Sequence, residues 1–220
     1  MELLDITFDL ETCDVSPSAA PMQLAAVAWD RYAPAEADAD PFMRDGDELR
    51  IFDERTDLSF CVMEGYSFSQ DTIDFWARQE PEVQAIVTDT GRPKLSPRQL
   101  YERFFRWILD TKQAFGAEHV ALWCQGQDFD IPMMKYAASK YGMKMPVSQY
   151  SFSDARTLAF AFALKDPGNA DYVYLRPKTA PYEALPPVPE HLGGHSHDAV
   201  FDCIRTTWNT WHLLYRMRLL

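Results

Sequence analysis

Near the start of the chain, the stretch DITFDLET carries two carboxylates one residue apart, Asp9 and Glu11. Leu4, Ile6, Phe8 and Leu10 alternate with Asp5, Thr7, Asp9 and Glu11, the period-two pattern of a β-strand with one apolar face. Asp9 and Glu11 then share a face, about 7 Å apart at a rise of about 3.3 Å per residue. Two charges that close repel each other. A solvated acidic strand face is one explanation. The other is a hard divalent cation such as Mg²⁺ or Mn²⁺, which takes carboxylate oxygens together with a substrate phosphate. That reading requires further ligands elsewhere in the chain.

Two later stretches offer them. The strand-like HVALWC runs into QGQDFDIP, which puts Asp128 and Asp130 at a strand-to-helix junction with Pro132 in the first helical turn. Asp128 reads as the N-cap, and Asp130 as an acid at the positive end of the helix dipole. In open α/β sheets the carboxyl ends of strands are where ligands bind. The third stretch is GGHSHDAVFD. Asp198 reads as the N-cap of the last helix and Asp202 lies one turn in. His197 precedes the helix, on a backbone that Gly193 and Gly194 are expected to loosen.

The elements that position these groups follow from periodicity. Leu24–Asp30 reads as a second strand and Leu49–Phe52 as a third, with an acidic loop between them. SQDTIDFWARQEPEVQAIV reads as helical, with Ser69 as N-cap and Pro81 dividing it. SPRQLYERFFRWILDTKQAFG is an amphipathic helix with Leu100, Phe104, Trp107 and Ile108 as its apolar stripe and Gly116 at its end. Helices follow at Phe129–Gly142 and from about Asp154 to Leu164. A loop rich in proline spans 166–196, and a last helix carries Val200, Ile204, Trp208, Trp211 and Leu214. This order predicts an α/β domain with a mixed sheet flanked by helices.

Composition narrows the function. The 220 residues are expected to form a single domain, 1–220, and 47% are hydrophobic, enough for a sizeable core. There is no basic apolar leader and no long apolar run, so no membrane partner and a cytoplasmic location are expected. Cys13, Cys61, Cys124 and Cys203 form no metal-binding spacing and read as free thiols. The net charge of −12 argues against a protein that coats nucleic acid. It leaves room for an enzyme that grips a strand end through cations.

Taken in order, FDLET, WCQGQDFDIP and HDAVFD resemble the three motifs of the DEDD superfamily of 3′-to-5′ exonucleases, in its His variant with HxAxxD. With TIDFWARQEP between the first two, the likeness runs closest to the phage DNA exonuclease A and RNase T-like group. The resemblance implies a ribonuclease-H-like fold and two divalent cations, Mg²⁺ or Mn²⁺. It implies Asp9 bridging both ions, Glu11 and Asp202 completing one site, and Asp130 acting directly or through water. It makes His197 the base that takes the proton from the attacking water. Asp128 and His195 match no motif position.

By the same resemblance Thr12 contacts the terminal nucleotide. Phe75, Trp76 and Gln79 form one wall of the strand-end pocket, although Phe75 and Trp76 read equally well as helix core. The expected partner is the 3′ end of single-stranded DNA or RNA, and relatives that dimerise allow a homodimer. Two other functions fit the same fold: a non-catalytic nucleic-acid-binding module, and a phosphodiesterase of small nucleotides. The full set of four acids and one histidine argues against the first.

Overall fold

Strand β1 (Leu3–Thr12) lies at the centre of a five-stranded sheet in the computed structural model. The structure describes residues 1–34, 39–88, 91–165, 167–169, 173, 175–177 and 179–218. Parts of the expected acidic loop and of the proline-rich loop lie outside these. β1 pairs antiparallel with β2 (Pro21–Trp29), which pairs antiparallel with β5 (Ile51–Arg55). On its other edge β1 pairs parallel with β6 (His119–Cys124), and β6 with β7 (Phe152–Asp154). A two-residue ribbon, β3 (Arg44–Asp45) with β4 (Glu48–Leu49), precedes β5. The expected third strand is thus a hairpin arm and a sheet strand separated at Arg50.

Helices cover both faces. Leu4, Ile6, Phe8 and Leu10 pack against Leu100, Phe104 and Ile108 of α4 (Pro97–Ala114) and Met134 and Ala137 of α5 (Asp130–Tyr141). Ser96 and Gln99 close a capping box at the start of α4. On the opposite face, Val27, Trp29 and Trp123 meet Cys203, Ile204, Trp208 and Trp211 of α7 (Ala199–Arg218). The polar face of β1 is therefore not solvated. Asp5 and Thr7 are buried. Asp5 pairs with Arg31 and accepts from Trp123 Nε1 at 2.7 Å, and Thr7 Oγ1 accepts from Trp29 Nε1 at 3.0 Å. A buried polar group without such partners is costly.

Three shorter helices, α1 (Leu58–Met63), α2 (Gln70–Ala77) and α3 (Pro81–Thr88), lie between β5 and α4. α6 (Ala155–Ala163) follows β7 and is capped by Asp154, which accepts from Arg156 N at 3.1 Å. The segment before α7 includes short 3₁₀ turns at Ala180–Tyr182 and Glu190–Leu192. All four cysteines are free and buried. No helix among the described residues is long and apolar enough to cross a membrane. The layers and the mixed sheet make this a ribonuclease-H-like arrangement, and two details of it create the site.

Candidate active site

The first detail is a length mismatch. The pairing of β1 with β6 ends at Thr7 and Trp123, while β1 continues to Thr12. Asp9 and Glu11 thus project beyond the end of β6, where the parallel ladder would otherwise leave backbone donors unmatched. Asp130, in the first turn of α5, takes one of them: its Oδ1 accepts from Leu10 N at 3.1 Å. One hydrogen bond thereby fixes the second acidic motif to the first.

The second detail is the seating of α7. Cys203 Sγ lies 3.4 Å from Ala25 O and Thr207 Oγ1 bonds Thr7 Oγ1 at 2.7 Å, so small side chains bring the helix close to β1 and β2. Gln23, fully buried opposite Glu11, fixes the helix start. Its Nε2 donates to Asp53 Oδ1 and to Asp198 Oδ1 at 2.9 and 3.0 Å, and its Oε1 accepts from Ala199 N at 3.2 Å. Asp198 also accepts from Val200 N, as an N-cap should.

These constraints bring Glu11, His197 and Asp202 together: one ligand atom from each lies within 4.8 Å of the others. The sequence reading kept His197 outside the metal ligands, and the structure puts its ring within the same cluster. Its φ of 70° is uncommon for a residue with a side chain. Its N–H donates to Asp202 Oδ2 at 3.3 Å, which helps hold that conformation. A Cβ on Gly194 would come within 2.9 Å of Phe201 Cβ, and one on Gly193 within 3.0 Å of Glu190 O. These glycines permit close packing.

Electrostatics marks the same place. Burial, then the Asp130, Glu11 and Asp202 charges, push the Asp9 carboxyl well above its usual range. Burial, then Asp202, Asp130 and Asp198, do the same to Glu11. Burial raises Asp130 to about 7, against the pull of the Leu10 N–H. Burial also raises Asp202, and Arg205 opposes that rise. Four acids held this way call for positive charge. Asp202 Oδ1 is buried without a hydrogen bond; Arg205 Nη2 lies 2.9 Å away as an ion pair but not aligned to donate. A buried carboxylate oxygen with this unused valence, beside Glu11 and His197, fits a divalent cation with oxygen and nitrogen ligands.

A model of the Rv2179c-like 3′-5′ exoribonuclease domain matches residues 5–208. The chain belongs to that family. The matched span includes each acidic motif and His197. No curated protein matches the chain. Among solved structures, the fold is similar to exonuclease I of E. coli in a zinc-bound complex with single-stranded DNA. The TM-score is 0.54 at 15% identity, over 99% of this chain and 42% of that one. It is also similar to the nuclease domain of 3′hExo, a DEDDh family member bound to rAMP, with a TM-score of 0.50 at 13% identity over 98% and 92% of the two chains. At such identities the likeness establishes the fold. The chain spans less than half of the exonuclease I chain.

Around this exoribonuclease-family site the other expected residues fall as follows. Thr12 is buried, and its hydroxyl donates to Asp14 O at 2.6 Å. Trp76 Nε1 donates to Thr12 O at 2.8 Å. No residue of α2 is fully buried; Phe75 and Trp76 are half-buried and form T-shaped pairs with His197, and Trp76 also packs against the buried cluster of Cys13, Met22 and Cys61. Gln79, in the turn after α2, donates from Nε2 to Phe75 O at 3.1 Å and so turns back to the end of that helix. Asp128 is exposed, and Phe129, not Asp128, holds the N-cap position of α5. Asp130 binds a neighbouring strand, so the helix begins without a side-chain cap. His195 is exposed. Gln23 and Arg205 escaped the sequence reading. Gln23 lies inside an apolar strand, where a lone polar residue was the available signal. Arg205 stands three residues after Asp202, a helical ion-pair spacing.

Proposed function

We propose that this chain is a single-domain 3′-to-5′ exonuclease that removes 5′-mononucleotides from the 3′ end of single-stranded nucleic acid, with two divalent cations, Mg²⁺ or Mn²⁺. The observation that carries the reading is the meeting of Glu11, His197 and Asp202 at an Asp202 oxygen that accepts no hydrogen bond, with Asp9 and Asp130 electrostatically coupled to the same acids. Asp9, Glu11, Asp130 and Asp202 would hold the ions, which when bound would offset charge on the attacking and leaving oxygens of an in-line displacement.

His197 takes the proton from water as the water oxygen forms its bond to phosphorus. The P–O3′ bond then breaks, and the 3′ oxygen of the shortened strand gains a proton from solvent. Phe75 and Trp76 stack on the terminal base, a sequence-tolerant contact suited to single strands. The family description names an exoribonuclease, which makes RNA the first substrate to test. The exonuclease I neighbour was solved with single-stranded DNA, which makes DNA the comparison.

The test is nucleotide release from matched RNA and DNA oligomers labelled at either end, with Mg²⁺, with Mn²⁺ and with excess chelator. A 3′ label should appear at once as mononucleotide, and a 5′ label as a descending ladder. Chelator should abolish both. Cleavage of circular strands, or hydrolysis that persists in chelator, would sink the reading.

A further inference from the structure

Gln125 joins three elements on the β6–β7 side of the carboxylates. Its backbone oxygen accepts from Arg156 Nη2 at 3.0 Å, its Nε2 donates to the Tyr182 hydroxyl at 3.2 Å, and its Oε1 accepts from Thr206 Oγ1 at 3.0 Å. The Arg156 guanidinium lies flat on the next residue. A Cβ on Gly126 would come within 3.0 Å of both terminal nitrogens, and the φ of 111° there also favours glycine. Gly126 N in turn donates to Asp154 Oδ1 at 3.0 Å, the cap of the helix that carries Arg156.

Arg205 precedes Thr206 on α7. It reaches Asp202 through Nη2 and donates to Ser196 Oγ from Nη1 at 3.0 Å. The guanidiniums of exposed Arg156 and half-buried Arg205 therefore flank the Gln125–Tyr182 pair. Both lower the Tyr182 hydroxyl against its burial. Arg156 also opposes the rise of Asp130, and Arg205 the rise of Asp9, Glu11 and Asp202.

The sheet order gives this wall a direction. Trp76 is tied to the end of β1 beside β2, while Gln125 follows β6 and Asp154 ends β7. By this order the acids of β1 lie between the aromatic wall and Arg156, while Arg205 borders the acids through its pair with Asp202. A strand whose last base meets Phe75 and Trp76 leaves the acids toward Arg156 and Arg205. In a chain of net charge −12, a polyanion needs cations on that exit path. Arginine presents a planar fork suited to phosphate oxygens.

We propose that Arg156 and Arg205 form a subsite for the backbone phosphate one nucleotide upstream of the bond that is cut. The subsite rests on the exonuclease reading above and adds a contact that senses strand length.

The experiment neutralises one phosphate at a time. Oligomers carry a methylphosphonate at the second linkage from the 3′ end, with the first linkage native. For the parent protein, this change should lower kcat/KM for the first nucleotide by about tenfold, the usual order for one charged hydrogen bond. In Arg156→Gln the unmodified oligomer should already be slower by a similar factor, and the methylphosphonate should add little. Arg156→Lys should keep most of the penalty. An equal penalty in Arg156→Gln and the parent would overturn the subsite, provided Arg156→Gln melts like the parent. Failure of the parent to release nucleotide from the unmodified strand would instead refute the exonuclease reading. If Arg156→Gln misfolds, the same cycle is run with Arg205→Gln, where an equal methylphosphonate penalty in the variant and the parent overturns the subsite.

Discussion

The His197 and Phe75 rings form a T-shaped pair, with centroids 5.0 Å apart and planes at 86°. Trp76 meets the same imidazole at 6.2 Å and 84°. A residue expected to receive a base or to lie in the helix core therefore also supports the proposed general base. Edge-to-face pairs of this kind contribute about 0.5–1.5 kcal/mol beyond their area. Phe75→Ala should lower kcat and raise KM together. Because Phe75 is half-buried on a helix with no buried residue, the melting temperature should move little. Phe75→Tyr, which retains the ring, should restore kcat. A change in KM alone would leave Phe75 as a base-stacking wall with no hold on His197.

The four acids set the pH response of the metal-free protein. Their folded-state pKa values lie above their unfolded ones, with Asp130 at about 7. Between about pH 4, the unfolded range, and those raised values, the folded chain binds more protons than the unfolded chain. Stability in chelator should therefore fall as pH rises through that window. Mg²⁺ or Mn²⁺ should raise the melting temperature more at pH 8 than at pH 5. Thermal melts across pH, with and without metal, give the answer. A flat profile in chelator would mean that the acids are compensated in some other way.

Asp130→Asn separates charge from hydrogen bonding. The amide oxygen can still accept from Leu10 N, so the link between α5 and β1 survives. The buried charge does not. In chelator at pH 8, Asp130→Asn should melt higher than the parent, while its activity should fall by at least about 10²-fold if the carboxylate helps hold a cation. Asp130→Ala should melt lower, because Leu10 N is left without its partner. Should both variants melt below the parent, repulsion among the acids would not be the dominant cost.

What could be read from the sequence depended on how much of an element one face decides. The α4 stripe and the alternation in β1 are decided by a single apolar face, and both are legible. The three-residue β7 carries too few side chains for any period, and α1 buries only Cys61. At the site, the spacing of Asp9, Glu11, Asp130 and Asp202 points to metal chemistry. Their meeting depends on β1 outrunning β6, a register that periodicity does not encode. Asp128 misled because an acid before a helix ordinarily caps it. Arg156 gave no signal because an arginine on an amphipathic helix reads as solvated surface, and only the close approach over Gly126 distinguishes it.

His197 carries the sharpest remaining test, because its position allows two roles. Its ring lies near enough to Glu11 and Asp202 to share a cation with them, yet the proposed mechanism uses it as the base. The roles differ in what His197→Ala does to metal binding. A general base contributes about 10²–10⁴-fold to turnover and nothing to ion affinity. A ligand contributes to both. Titration calorimetry with Mn²⁺ should show affinity in His197→Ala close to that of the parent, with turnover lower by the factor above. Asp202→Ala provides the contrast, since it removes the buried oxygen that accepts no hydrogen bond and releases the His197 N–H as well. It should lose both metal affinity and activity. His195→Ala serves as control: the side chain is exposed, and its backbone carbonyl, which accepts from Asp198 N at 3.1 Å, remains in place. Metal affinity lost in His197→Ala to the same extent as in Asp202→Ala would make His197 a ligand and require another group to take the proton.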